Sequence, residues 1–182
     1  MTTLLVDMNY RRDSLGYLEF VKPILSVVEP IEPCVVVHYL DLETAKTDRF
    51  SRIILSGTAL KDFHYLSHPE KFSWIPTSMK PVLGICAGMQ TILKAYGVPL
   101  TPCLQVGMTQ IQTTKANPLF SSDFQAYSLH SYTAADNETF TVIAKSKDCI
   151  QAIKHKQKPI YGLLFHPEVR NPEILRNFMQ LC

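Results

Sequence analysis

A chain of 182 residues has the length of one domain with a substantial core. Apolar residues make up 46% and charged residues 19%, and a formal net charge of +2 without a basic block gives no ground for nucleic-acid binding. No apolar run has the length that spans a bilayer, and the five cysteines show neither CxxC nor metal-type spacing. Neither a disulfide framework nor a metal site is therefore expected, and a reduced, cytoplasmic chain without cofactor or membrane contact fits best.

In chain order, Thr3–Asp7 is a short apolar run closed by an acidic residue, which reads as a first strand rather than a signal peptide. Asp13-Ser14 opens a helix carrying Leu15, Leu18, Val21, Leu25 and Val28, with Pro23 placed to kink or split it. Further continuous apolar runs lie at 34–39, 52–56, 81–85 and 160–165. Separated by helix-length segments, they predict parallel strands covered on both faces. Ser67-His68-Pro69-Glu70 reads as a capping box before a short helix with Phe72, Trp74 and Ile75. Met89, Ile92, Leu93 and Tyr96 fall at helical spacing, and Gly97 is placed to end that helix.

Between Thr101 and Ile153 the pattern changes. Leu104, Val106 and Met108 alternate with polar or small residues, and 141–145 and 149–153 read as strands around a turn at Ser146-Lys147-Asp148. This predicts an antiparallel addition inserted between the fourth and fifth buried strands, with a loop at 115–123. Asn171-Pro172 then caps a last helix that buries Ile174, Leu175, Phe178 and Met179. The expectation is one α/β domain over 1–182, a mainly parallel sheet with helices on both faces.

The residue that organises the chain is Cys86, in Val82-Leu83-Gly84-Ile85-Cys86-Ala87-Gly88-Met89-Gln90. A buried strand runs into a helix with the cysteine at the junction and a glycine on either side, as in a nucleophile elbow. There a thiol faces unpaired N–H groups and the positive end of the helix dipole, which favour the thiolate. The plain alternative is a buried core cysteine. In an open α/β sheet ligands bind beyond the carboxyl ends of the strands. Ser56-Gly57-Thr58-Ala59, Cys86 and His166-Pro167-Glu168 all belong there. His166 would serve as the base for the thiol. If the backbone stays extended through Pro167, Glu168 faces the same side and can orient the imidazole. The backbone N–H of Ala87 and the loop Gly57-Thr58 are candidate oxyanion donors.

These motifs, together with Leu55-Ser56-Gly57 and Ala152-Ile153-Lys154-His155 leading to Pro159 through Val169, resemble class I glutamine amidotransferases over nearly the full chain. The last stretch is most similar to the glutaminase subunits or domains of GMP synthetases. The resemblance implies a flavodoxin-like sheet and a triad of Cys86, His166 and Glu168. That triad would hydrolyse the side-chain amide of glutamine through a thioester and pass ammonia to an ATP-dependent synthetase partner. It also implies that Thr58 and Ala87 give oxyanion N–H groups and that Gln90 helps hold glutamine. Tyr127 to Tyr132, including His130 and Ser131, resembles the segment whose backbone meets the substrate's α-amino and carboxylate groups.

The chain departs from the family pattern where Ser-Gly-Gly-Pro is usual and Ser56-Gly57-Thr58-Ala59 stands instead; Ala87 and Leu164 also replace the usual residues. If the amide of residue 58 needs left-handed backbone, a β-branched threonine resists it. The expectation is an oxyanion hole that is unformed in the free chain and reoriented by a docking synthetase. Two other readings stand beside this one: a stand-alone hydrolase of another γ-glutamyl compound, and a non-catalytic binding or regulatory module. Cys34 and Cys149 read as strand core, Cys103 and Cys182 as incidental. His64 and His68 lack a third ligand. Lys154, His155, Lys156 and Lys158 form a solvated basic turn.

Overall fold

The computed structural model describes residues 1–42 and 44–181, so Cys182 lies outside the described residues. The strands are β1 (Thr3–Asp7), β2 (Cys34–His38), β3 (Arg52–Leu55), β4 (Val82–Ile85), β5 (Leu100–Thr113), β6 (Phe124–Ala134), β7 (Phe140–Lys145), β8 (Ile150–His155), β9 (Ile160–Leu163) and β10 (Phe165–His166). The α-helices are α1 (Lys22–Val28), α2 (Ala87–Ala95), α3 (Pro167–Arg170) and α4 (Pro172–Met179).

One sheet runs β10-β6-β5-β7-β8-β9-β4-β3-β1-β2. Its block β2-β1-β3-β4-β9 is parallel throughout, the flavodoxin-like order. The apolar runs of β1, β3, β4 and β9 are buried on both faces, as continuous apolar strands require. Leu4, Val6, Ile53 and Leu55 pack on the side of Met89, Ile92 and Leu93 from α2. Leu5, Ile54, Leu83 and Leu163 pack on the side of Ile24 and Val28 from α1 and Leu175 and Phe178 from α4. At about 1.5–3 kcal/mol for each fully buried large aliphatic side chain, these two layers are the main source of stability. The antiparallel strands β5 to β8 enter between β4 and β9 in sequence, as expected, and extend the same sheet.

Some local expectations are met and others corrected. Pro23 splits its helix as expected: the helical run from Leu15 to Val28 changes from a π turn at Tyr17–Val21 to α1, and the missing N–H falls at that junction. The buried face there is Phe20, Val21, Ile24 and Val28, while Leu15 and Leu18 are exposed. The segment after Ser67 makes short 3-10 turns, and neither has a side-chain cap; Phe72, Trp74 and Ile75 are nevertheless buried. Asn171 stands at the N-cap of α4, but its side chain makes no capping bond and its carbonyl accepts from Ile174 N–H instead. Leu104, Val106 and Met108 alternate along β5 as expected, and their side chains face solvent. The basic turn is partly spent: Lys158 Nζ donates to the Pro76 carbonyl, and His155 is buried beside Tyr96 and Phe140.

Cys103 and Cys149 form a disulfide, with Cα atoms 6.2 Å apart, which corrects the expectation of unpaired cysteines at these positions. They lie 46 residues apart in sequence, so no local spacing announced the pair; the β5 to β8 pairing brings them together. Cys34 and Cys86 are free thiols.

Candidate active site

The elbow is more strained than its glycines suggest. Cys86 itself adopts φ 49° and ψ −101° as the N-cap of α2, a backbone region that costs a non-glycine residue about 1–3 kcal/mol. The conformation is held by Cys86 N–H donating to Leu163 O at 2.7 Å, Gly88 N–H to Ser56 O at 3.2 Å, and Gln90 N–H to Cys86 O at 3.0 Å. The flanking glycines permit close approach: a Cβ on Gly84 would lie 2.4 Å from the Gly88 carbonyl carbon, and one on Gly88 would lie 2.5 Å from Leu55 O. The thiol thus stands at the start of a helix, within 3.3 Å of Leu129 O, to which its S–H can donate.

The apolar run at 160–165 is not one strand. β9 ends at Leu163, Leu164 N–H bonds to Gln151 O at 2.7 Å, and Phe165–His166 pair with Ser128 and Tyr127 of β6. That change of partner turns His166 into the site. Its neighbour Glu168 is in the first turn of α3 rather than on extended backbone, which corrects the expected route but gives the expected contact. His166 Nδ1 lies 2.7 Å from Glu168 Oε1, and both side chains are essentially inaccessible, at 1% and 0% exposure. Because a carboxylate only accepts, Nδ1 carries the proton. Nε2 makes no hydrogen bond of good geometry among the described residues, which leaves it to the Cys86 sulfur. Burial works against a charged imidazole here. The Glu168 carboxylate and the nearby Cys86 sulfur outweigh it and raise His166 well above its ordinary value. The arrangement can therefore hold a thiolate beside an imidazolium.

Gly57 lies directly beneath the imidazole: a Cβ there would stand 2.5 Å from His166 Cε1. Among the described residues, left-handed backbone outside glycine occurs only at Asp13 and Cys86, so Thr58 is not forced into it and bears no such strain. A threonine without left-handed backbone here is what the sequence predicts. Thr58 is buried, with its hydroxyl 2.6 Å from Asp62 Oδ2 and 3.1 Å from Asn9 Oδ1.

Thr58, Asp62, Tyr65, Cys86, Ala87 and Gln90 line a narrow cleft of about 10 Å³, closed on the other side by Leu129, His130 and Ser131. Gln90 is buried rather than solvated; Tyr65 O–H donates to its Oε1 at 2.5 Å, and its Nε2 donates to Tyr132 O at 3.2 Å. Tyr132 serves through that carbonyl and packs its ring edge-on against Phe63. The His130 side chain points away into a polar cluster. Nδ1–H donates to Cys103 O at 3.0 Å, and Nε2 accepts from Gln151 Nε2 at 3.2 Å. Burial pushes this imidazole down to about 4, so it is neutral at pH 7. Only the His130 backbone is placed to meet a ligand. Asp62 and Tyr65 were not singled out from sequence; they carry no motif, and only the folded loop positions reveal them. Among the described residues no group of three or more His, Cys, Asp or Glu could hold a metal ion.

The family model for glutamine amidotransferase class-I matches residues 17–181. The chain is 41% identical over 151 residues to the glutamine-hydrolyzing GMP synthase subunit of Methanococcus maripaludis, covering 77% of this chain and 78% of that protein. It is 40% identical over 113 residues to the protein of the same name from Methanocaldococcus jannaschii, covering 56% of this chain and 60% of that protein's length. Among solved structures, a GMP synthase subunit protein of Thermoplasma acidophilum superposes with a TM-score of 0.85 at 24% identity, over 98% of this chain and 92% of that one. A glutamine amidotransferase of Thermotoga maritima gives a TM-score of 0.71 at 19% identity, over 92% and 76%. These structural likenesses establish the fold, and the sequence matches establish the kinship: the chain belongs to the class-I glutamine amidotransferase family.

Proposed function

We propose that this chain is a glutaminase subunit that hydrolyses the side-chain amide of glutamine and passes the ammonia to an ATP-dependent synthetase, of the GMP-forming kind named in its relatives. The observation that carries the reading is the buried His166–Glu168 pair beside a thiol at a strained helix N-terminus.

In this mechanism the Cys86 thiolate attacks the amide carbon, and the carbonyl oxygen becomes an oxyanion facing the N–H groups of Thr58 and Ala87. The imidazolium of His166 gives its proton to the departing nitrogen, the C–N bond breaks, and a thioester remains. His166 then takes a proton from water, whose oxygen attacks the thioester. A second oxyanion collapses, the C–S bond breaks, and glutamate leaves with the sulfur restored. Glu168 holds the imidazole in the tautomer with Nδ1–H and favours its charged form. Gln90 and the backbone of His130 and Ser131 orient the glutamine, with Tyr65 and Tyr132 holding Gln90.

The test is ammonia release from glutamine, alone and with a candidate synthetase, alongside alkylation by a glutamine-like electrophile read by mass spectrometry. Turnover abolished in Cys86→Ala, with Cys86 labelled faster than Cys34, supports the assignment. Failure to release ammonia under both conditions overturns it.

A further inference from the structure

Three backbone or hydroxyl donors from two separate stretches of chain converge on one carboxylate that lines the cleft with the thiol. Asp62 Oδ2 accepts from Tyr10 N–H at 2.7 Å, in the loop after β1, and from the Thr58 hydroxyl at 2.6 Å, in the loop after β3. Its Oδ1 accepts from His64 N–H at 3.1 Å, at the start of the following turn. Asp62 N–H in turn closes the loop by donating to Ala59 O at 2.8 Å. The second neighbour of the Thr58 hydroxyl, Asn9, is itself fixed: its Nδ2 and backbone N–H both donate to Asp7 Oδ1, at 2.6 and 2.9 Å, and its carbonyl accepts from His38 Nε2 at 2.7 Å. Thr58 and Asp62 both line the cleft that contains Cys86.

A loop of four residues beyond a strand end has few ways to fix the direction of one N–H. A glycine at position 58 would bring no side-chain anchor, whereas threonine brings a hydroxyl, and the fold supplies a carboxylate and an amide oxygen to receive it. Hydrogen bonds to a charged acceptor are roughly twice as strong as neutral ones, so the anchor is directional and costly to break.

We infer that Asp62 is a positioning residue for oxyanion binding: through the Thr58 hydroxyl it fixes the Thr58 backbone N–H where negative charge develops on the substrate carbonyl. The inference rests on the glutaminase reading and names a residue that acts through another rather than on the reacting atoms. On this inference Thr58→Gly removes an anchor.

The experiment compares steady-state ammonia release by the full chain, under whichever condition supports wild-type turnover, for wild type, Thr58→Val, Thr58→Ser, Thr58→Gly and Asp62→Asn. Valine keeps the shape and loses the hydroxyl. Thr58→Val is expected to lower kcat about 100-fold, the scale for loss or misplacement of one oxyanion donor, with KM little changed. Thr58→Ser keeps the hydroxyl and should stay near wild type, Thr58→Gly should fall rather than rise, and Asp62→Asn should fall between. Alkylation of Cys86 by iodoacetamide builds no oxyanion and should proceed at the wild-type rate in every variant. A KM effect alone, equal kcat in Thr58→Val and wild type, or a gain in Thr58→Gly overturns the inference and leaves the glutaminase reading standing. A parallel fall in kcat and iodoacetamide rate also overturns it, since the thiol rather than the donor has then been disturbed. Absence of wild-type turnover under every condition overturns the glutaminase reading and this inference with it.

Discussion

The Cε1 edge of His166 occupies the space that a side chain on residue 57 would need: a Cβ there would come within 2.5 Å of it. Glycine at 57 is thus required by the imidazole rather than by backbone conformation, since Gly57 does not have positive φ. Gly57→Ala should displace His166 from Cys86 and Glu168, and a shift of about 1 Å can cost about 100-fold in rate. Ammonia-release kinetics check this, with the thermal midpoint measured in parallel. Undiminished turnover would mean that the imidazole can move aside without harm.

Glu168 raises His166 by its charge, against the effect of burial. Glu168→Gln keeps a carbonyl that can accept from Nδ1–H but removes one of the charges that oppose burial, so the imidazole loses its proton at a lower pH. The basic limb of the kcat/KM profile should therefore move down in pH. Turnover at neutral pH should fall about 100-fold, at the low end of what general acid–base catalysis contributes, and less than in Cys86→Ala. A profile of unchanged shape would remove the electrostatic role.

His130 is a stability sensor on the acid side. Its folded value of about 4 lies below the ordinary 6.5 because burial penalises the charge. Between these limits the unfolded chain binds a proton that the folded chain does not, so stability falls as pH drops through the window and is fully retained above it. At 1.36 kcal/mol per unit, the gap from 6.5 to about 4 is worth roughly 3 kcal/mol. His130→Gln should lower stability at pH 7 but flatten its fall toward pH 4.5. Urea unfolding across that range gives the comparison; parallel curves would contradict it.

The Cys103–Cys149 disulfide closes a loop of 46 residues. In the chain-entropy treatment such a cross-link is worth about 4 kcal/mol. A dithiol reductant should lower the denaturation midpoint of the wild-type chain, and Cys149→Ser should start from the lower value and no longer respond. Equal response in both would place the sensitivity elsewhere.

Much of this architecture was legible in the sequence because buried parallel strands leave a strong local mark. β1, β3 and β4 are continuous apolar runs bounded by polar residues, and the helix after Cys86 shows its buried face at Met89, Ile92 and Leu93. The Cys86 elbow and the His166–Glu168 spacing were visible for the same reason: each lies at the end of such a run, where the chain must turn. Less legible were the elements without an independent local signal. The π turn before Pro23, the uncapped 3-10 turns after Ser67 and the outward-facing Leu104, Val106 and Met108 depend on what packs beside them.

Local composition determined the parallel core, the position of the thiol and the candidate base. Tertiary structure alone decided three things. It split the run at 160–165, because Leu164 pairs with β8 while Phe165–His166 pair with β6, and so aimed the imidazole. It joined Cys103 to Cys149 and buried His130 among polar partners, because antiparallel pairing makes neighbours of distant residues. And it brought Asp62 and Asn9 to the Thr58 hydroxyl. Sequence pattern reports which side chains avoid water; which polar groups satisfy one another across long separations is fixed only when the strands have taken their partners.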